Sequence, residues 1–141
     1  MIKGGTVVDP SQGLGEVRDV GFADGKVASV GRGLSDGDAT EVVEASGLIV
    51  VPGLLDLHVH VFPGVSHFGI EPDSTSLAKG VTTAVDAGSS GAGTFRAFRK
   101  YILEPSETRL YALLNISASG MIIEDVGELE DLRWANVERA V

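Results

Sequence analysis

Val51-Pro52-Gly53-Leu54-Leu55-Asp56-Leu57-His58-Val59-His60 is the stretch on which the reading of this chain turns. Pro52-Gly53 interrupts whatever precedes it and starts a fresh segment. Apolar residues at 54, 55, 57 and 59 then read as a buried strand that ends in two histidines. Side chains alternate between the faces of a strand, so Asp56, His58 and His60 share one face. Two imidazoles side by side at a strand end can both reach one metal ion at a Zn–N distance of about 2.0–2.1 Å. The same spacing also fits a pair of satisfied core histidines. Asp56, on the shared face, is placed to orient a ligand as an outer-shell partner.

Upstream of this strand, short β-rich runs at 2–8, 17–22, 26–30, 40–45 and 48–51 alternate with turn signals. Asp24-Gly25 between two of these runs predicts a hairpin turn, because glycine supplies the positive φ that a type I′ turn needs. Residues 1–51 are therefore expected to form a small all-β unit. Downstream, the pattern changes to strand and helix in alternation, the signature of parallel βαβ units. Pro72 and Gly80 bracket a short helix over 73–79, followed by a strand at 81–86. Thr94 is placed to cap a helix whose apolar stripe is Phe95, Phe98, Tyr101 and Ile102, with Arg96, Arg99 and Lys100 on its solvated face. Pro105 ends that helix, and 109–115 is the third strand of the series. Asn136 is suited to cap a helix over 137–141, with Glu138 in its first turn.

The chain has 141 residues, 43 % of them hydrophobic, and a formal net charge of −9. That charge repels phosphate backbones and anionic lipid, which argues against nucleic-acid or membrane-surface partners. The most apolar run, Leu48 to Leu55, is broken by Pro52-Gly53 and is far shorter than the roughly 20 residues that span a bilayer. Met1-Ile2-Lys3-Gly4-Gly5 lacks the apolar core of a signal peptide. The absence of cysteine excludes disulfides and thiolate metal sites, and makes the cytoplasm the expected compartment.

The proline-glycine, the apolar residue and the Asp-x-His-x-His at 52–60 resemble the hallmark of the amidohydrolase superfamily. The resemblance continues through Phe62-Pro63-Gly64, Gly69-Ile70-Glu71-Pro72-Asp73, Lys79-Gly80-Val81-Thr82-Thr83-Ala84-Val85-Asp86-Ala87-Gly88-Ser89 and Leu113-Leu114-Asn115-Ile116-Ser117. It points to the branch labelled deacetylase or dihydroorotase-like. The resemblance implies an α/β chain: the first part of a (β/α)₈ TIM barrel over 52–141, holding three βα units, preceded over 1–51 by part of a β-sandwich. A complete barrel takes about 250 residues, so the chain is expected to be the front part of a longer protein.

The same resemblance implies a divalent metal, zinc first of all, as one or two ions held by His58 and His60. The remaining ligands it implies are a carboxylated lysine or glutamate from strand four, histidines from strands five and six, and an aspartate from strand eight that also shuttles the proton. No histidine follows His67 and no lysine follows Lys100, so the chain by itself is not expected to turn over substrate. Asp86 and Asn115 end the second and third strands of the series, where each could contact substrate or cap the next turn. His67, in the loop after the two histidines, reads as an exposed loop residue with substrate contact as the alternative. Gly88-Ser89-Ser90-Gly91-Ala92-Gly93 lacks the lysine of a phosphate-binding loop and reads as a flexible rim.

The expected reaction is hydrolysis of a small acyl amide or ester, deacetylase-like, through metal-activated water. A dihydroorotase-type cyclic-amide hydrolase is the alternative. In such sequences an arginine commonly lies two residues after the second histidine; here Phe62 occupies that position and would line the site with apolar surface. A non-catalytic barrel scaffold is the alternative of another class, and a homo-oligomer is compatible with any of these.

Overall fold

The structure, a computed structural model, describes residues 1–122 and 129–141. The chain forms two compact units, Met1–Pro52 and Gly53–Val141. The split thus falls one residue later than the sequence boundary of 51/52.

The first unit is a β-sheet. β1 (Ile2–Asp9), β2 (Leu14–Ala23) and β3 (Lys26–Gly31) run antiparallel in sequence, while β4 (Val43–Glu44) and β5 (Ile49–Val50) both pair in parallel with β1. The β2–β3 turn has Asp24 and Gly25 both at positive φ, 52° and 71°, as the hairpin reading requires. Asp19 braces the sheet: its carboxylate accepts the N–H groups of Gly4 and Leu34, each at 2.9 Å.

The second unit is built on a three-stranded parallel sheet, β6 (Leu54–Val59), β7 (Val81–Asp86) and β8 (Arg109–Ala112), in that order. Between β6 and β7 lies α1 (Pro72–Thr75), with Pro72 in its first turn, and then a 3₁₀ helix over Leu77–Lys79. Gly80 closes this segment at φ +86°. Between β7 and β8 lies α2 (Phe95–Phe98), which runs on as a π-helix through Arg99–Leu103. A last short helix, α3 (Val137–Ala140), starts under Asn136, whose side chain accepts the N–H of Arg139 at 3.0 Å. Among the described residues, no helix is long and apolar enough to cross a membrane.

The core of this unit joins Val59, Val61, Phe62, Ala84 and Phe98, with Phe95, Ile102, Leu103 and Leu110 packed around them. Two expectations from the sequence fail here. Tyr101 is 64 % exposed instead of joining the apolar stripe. The wider π turn explains this: i→i+5 bonding, with the Glu104 N–H donating to the Arg99 carbonyl at 2.9 Å, departs from helical spacing, so that Leu103 packs against the core and Tyr101 faces outward. The apolar run of β6 predicts a buried strand, yet Leu55 and Leu57 are 67 % and 72 % exposed. β6 is an edge of the described sheet, so its apolar side chains are covered only where Val59 meets the core.

Candidate metal centre

His58 is the penultimate residue of β6 and His60 follows its last residue, so both stand at the strand's C-terminal end. The rings of His58 and His60 stand edge to face with centroids 5.3 Å apart. Two imidazoles bound to one tetrahedral zinc at about 2.0–2.1 Å have centroids roughly 5 Å apart, so the spacing of this pair fits a shared divalent ion. Neutral imidazole is also the donor that such an ion favours. Among the described residues, no cluster of three or more histidine, aspartate or glutamate side chains forms around them.

Asp56 does not reach either ring. Its Oδ1 accepts the backbone N–H of His58 at 3.0 Å, which fixes the backbone that carries the first histidine. The His60 ring does have a partner: Nδ1 lies 3.1 Å from Oγ of Ser89. Ser89 is fully buried, as is its neighbour Ser90. The glycine-rich segment from Gly88 to Gly93 is therefore a packed part of the unit and not a flexible rim. A Cβ added at Gly91 would overlap the carbonyl oxygen of Ser117, so the segment approaches the Ser117–Ala118 backbone too closely for any other residue.

Asp86 is fully buried and does not line an open site. Its Oδ2 accepts the N–H of Val61 at 2.8 Å, and its Oδ1 accepts those of Gly88 at 3.1 Å and Ser89 at 2.7 Å. Of the two roles open to it, the geometry is that of a cap, and it ties the end of β7 to the end of β6. Asn115 also caps: its Oδ1 accepts the N–H of Ser117 at 2.9 Å and its amide donates to the carbonyl of Gly88 at 3.0 Å.

The aromatic residue beside the histidines is Phe68, not Phe62. Phe62 is buried, with its ring 4.7 Å from that of Phe98, so it does not line the site. The motif Phe62-Pro63-Gly64 places an apolar ring where the chain turns back over α2, and core packing claims it. Phe68 is 59 % exposed and lies between two imidazoles, 6.0 Å from His60 and 4.1 Å from His67. His67 is half-buried, and its Nδ1 has no hydrogen-bond partner among the described residues. A surface cleft of about 460 Å³ bounded by Glu71, Asp73 and Tyr101 shares no residue with this cluster.

Sequence reasoning offered the cap at Asp86 but missed Ser89 and the reach of the Asp86 carboxylate to the N–H of Val61. The signal was present in Asp86-Ala87-Gly88-Ser89, since an aspartate followed by a glycine and a serine is a strong local cap for backbone N–H groups.

No protein-family model matches the chain. It is 41 % identical over 117 residues to a deacetylase of Agrobacterium fabrum, a match spanning 82 % of this chain and 29 % of that protein. It is 38 % identical over 144 aligned residues to a dihydroorotase of Citrifermentans bemidjiense, spanning 96 % and 34 %. In structure it resembles a dihydroorotase crystal structure with a TM-score of 0.84 at 33 % identity, covering 99 % of this chain and 37 % of that one. The chain thus spans about a third of the length of the relatives it matches. The parallel βαβ sheet with paired histidines at the end of its first strand is the opening of a (β/α)₈ barrel, and the chain belongs to the amidohydrolase superfamily.

Proposed function

We propose that this chain is the metal-binding front part of a hydrolase that cleaves an amide or ester bond in a small acyl compound. The observation that carries the reading is the His58–His60 pair, whose spacing suits one divalent ion. A zinc ion held there would polarise a carbonyl and acidify a water molecule. The chain's own residues do the positioning: Asp56 fixes the backbone of His58, and Asp86 and Ser89 fix the surroundings of His60. Phe68 and His67 offer the reacting region a half-apolar wall. The other ligands and the group that moves the proton come from elsewhere in the intact protein.

Deacetylase chemistry is the first choice, supported by the 41 % identity to the Agrobacterium fabrum deacetylase. The absence of arginine at position 62 supports it too. Losing a charge-assisted hydrogen bond to a carboxylate substrate costs about 1.5–3 kcal/mol, or roughly 10- to 150-fold in rate. Burial of Phe62 removes the other half of that argument, since the apolar surface at the site comes from Phe68. The second reading is a dihydroorotase-type cyclic-amide hydrolase, favoured by the TM-score of 0.84 to such an enzyme.

The test is kcat/KM of the zinc-loaded intact protein on O-acyl esters, N-acyl amino acids and dihydroorotate, measured side by side. The deacetylase reading expects an acyl compound to lead. Preference for dihydroorotate by about tenfold or more, worth roughly 1.4 kcal/mol of transition-state binding, would transfer the assignment to the second reading.

A further inference from the structure

We infer that Ser89 is the positioning residue for His60: its hydroxyl holds the Nδ1 proton of the imidazole, so that Nε2 is the nitrogen presented to the metal. The inference rests on the metal-binding reading of the His58–His60 pair and says how one of its two ligands is set.

Ser89 is unusually well fixed for a residue in a glycine-rich segment. It is fully buried, its N–H donates to Oδ1 of Asp86 at 2.7 Å, and its carbonyl accepts the N–H of Met121 at 3.1 Å. With the backbone pinned on both sides, the hydroxyl has a defined place 3.1 Å from Nδ1 of His60. The backbone around His60 is referenced to the same carboxylate, because Oδ2 of Asp86 accepts the N–H of Val61 at 2.8 Å. The carbonyl of His60 itself accepts the N–H of Ile70 at 2.9 Å. One buried aspartate therefore locates both the ligand's backbone and the hydroxyl that meets its ring.

The chemistry follows from the tautomers of imidazole. A neutral histidine ligand is bare at the coordinating nitrogen and carries its proton on the other. A hydrogen bond at the second nitrogen fixes which is which, and holds the ring plane. With Nδ1–H donating to Ser89 Oγ, Nε2 is left bare. The two histidines are thus unequal: among the described residues the His58 ring has no hydrogen-bond partner, and its neighbour is the His60 ring. His60 is the preset ligand and His58 the one that adjusts.

Ser90 supplies the control. It is equally buried, but its hydroxyl is engaged with Thr94 at 2.9 Å and the Gly91 carbonyl at 3.3 Å, away from the histidines. Zinc affinity of the intact protein would be measured by competition with a chromogenic chelator, for wild type, Ser89→Ala and Ser90→Ala. Ser89→Ala is expected to weaken zinc binding by about 10- to 100-fold, the usual effect of losing an outer-shell partner, and Ser90→Ala by less than about threefold. Both variants should lose thermal stability to a similar extent. Unchanged affinity in Ser89→Ala, or an equal loss in Ser90→Ala, overturns the inference while leaving the metal site standing. A wild-type protein that takes up no zinc overturns the metal reading itself. Should Ser89→Ala not fold, ¹⁵N-histidine NMR of the metal-free wild type decides: His60 is expected as the Nδ1-protonated tautomer, and the Nε2-protonated form contradicts the inference.

Discussion

Oδ2 of Asp86 accepts the backbone N–H of Val61 at 2.8 Å, tying the last residue of β7 to the residue that follows His60. The other oxygen takes two further N–H groups, so a fully buried carboxylate is satisfied entirely by backbone. Asp86→Asn keeps the shape but turns one acceptor into a donor. Whichever way the amide faces, at least one buried N–H then meets another N–H. The expected cost is about 1–3 kcal/mol of stability, read as a lower denaturation midpoint. A midpoint equal to that of wild type would contradict the clamp.

Asp73 makes a second clamp, at the start of α1. Its Oδ1 accepts the N–H of Thr108 at 2.8 Å and the Thr108 hydroxyl at 2.7 Å, and its Oδ2 accepts the N–H of Glu107 at 3.1 Å. The Thr108 hydrogen bonds, backbone first, hold the carboxyl below its ordinary value. A depressed folded-state pKa contributes stability that is complete above the unfolded value of about 3.9 and is lost as pH falls through the lower folded value. Thermal midpoints of wild type should therefore fall more steeply than those of Asp73→Asn as pH drops below about 4. Parallel pH profiles for the two proteins would rule this out.

Gly91 pairs with Asn115 across the loop ends, where its missing side chain lets two backbones meet. Gly91→Ala forces a Cβ against the Ser117 carbonyl, a backbone atom that cannot swing aside. Overpacking of this kind costs about 1–3 kcal/mol, and the displaced segment carries Ser89. The expected result is reduced stability together with weaker zinc binding; an unperturbed variant would show that the approach is looser than the structure has it.

The 141-residue chain, expressed by itself, should self-associate. Leu54, Leu55, Leu57, Tyr111 and Leu113 are all exposed large apolar residues on or beside a parallel sheet, and its β6 and β8 edges lack described partners. Apolar patches and open strand edges of this sort drive association. Light scattering at increasing concentration tests it, and a monodisperse monomer with a sharp reversible melt would contradict it.

Where local chemistry dominates, the sequence was easy to read. The Asp24-Gly25 turn, the β7 strand at 81–86, the Pro72 helix start and the Asn136 cap each depend on a few neighbouring residues, and the structure has them. What escaped depended on packing between distant segments. Phe62 and Phe68 are both loop phenylalanines near His60, and only the position of Phe98 decides which is core and which faces the histidines. Tyr101 lost its expected place because a π turn, invisible in apolar spacing, shifted the register of α2. Ser89 was hidden in a run of glycines and serines whose composition signals a loop, while its burial comes from distant partners, Met121 on its carbonyl and His60 on its hydroxyl.

Metal analysis decides whether His58 and His60 jointly hold a divalent metal used in hydrolysis. Metal content and hydrolytic rate of the intact protein would be compared with those of His58→Ala and His60→Ala. One or two divalent ions per wild-type chain are expected, with less metal and no hydrolysis in both variants. Unchanged metal stoichiometry in the two variants would contradict this.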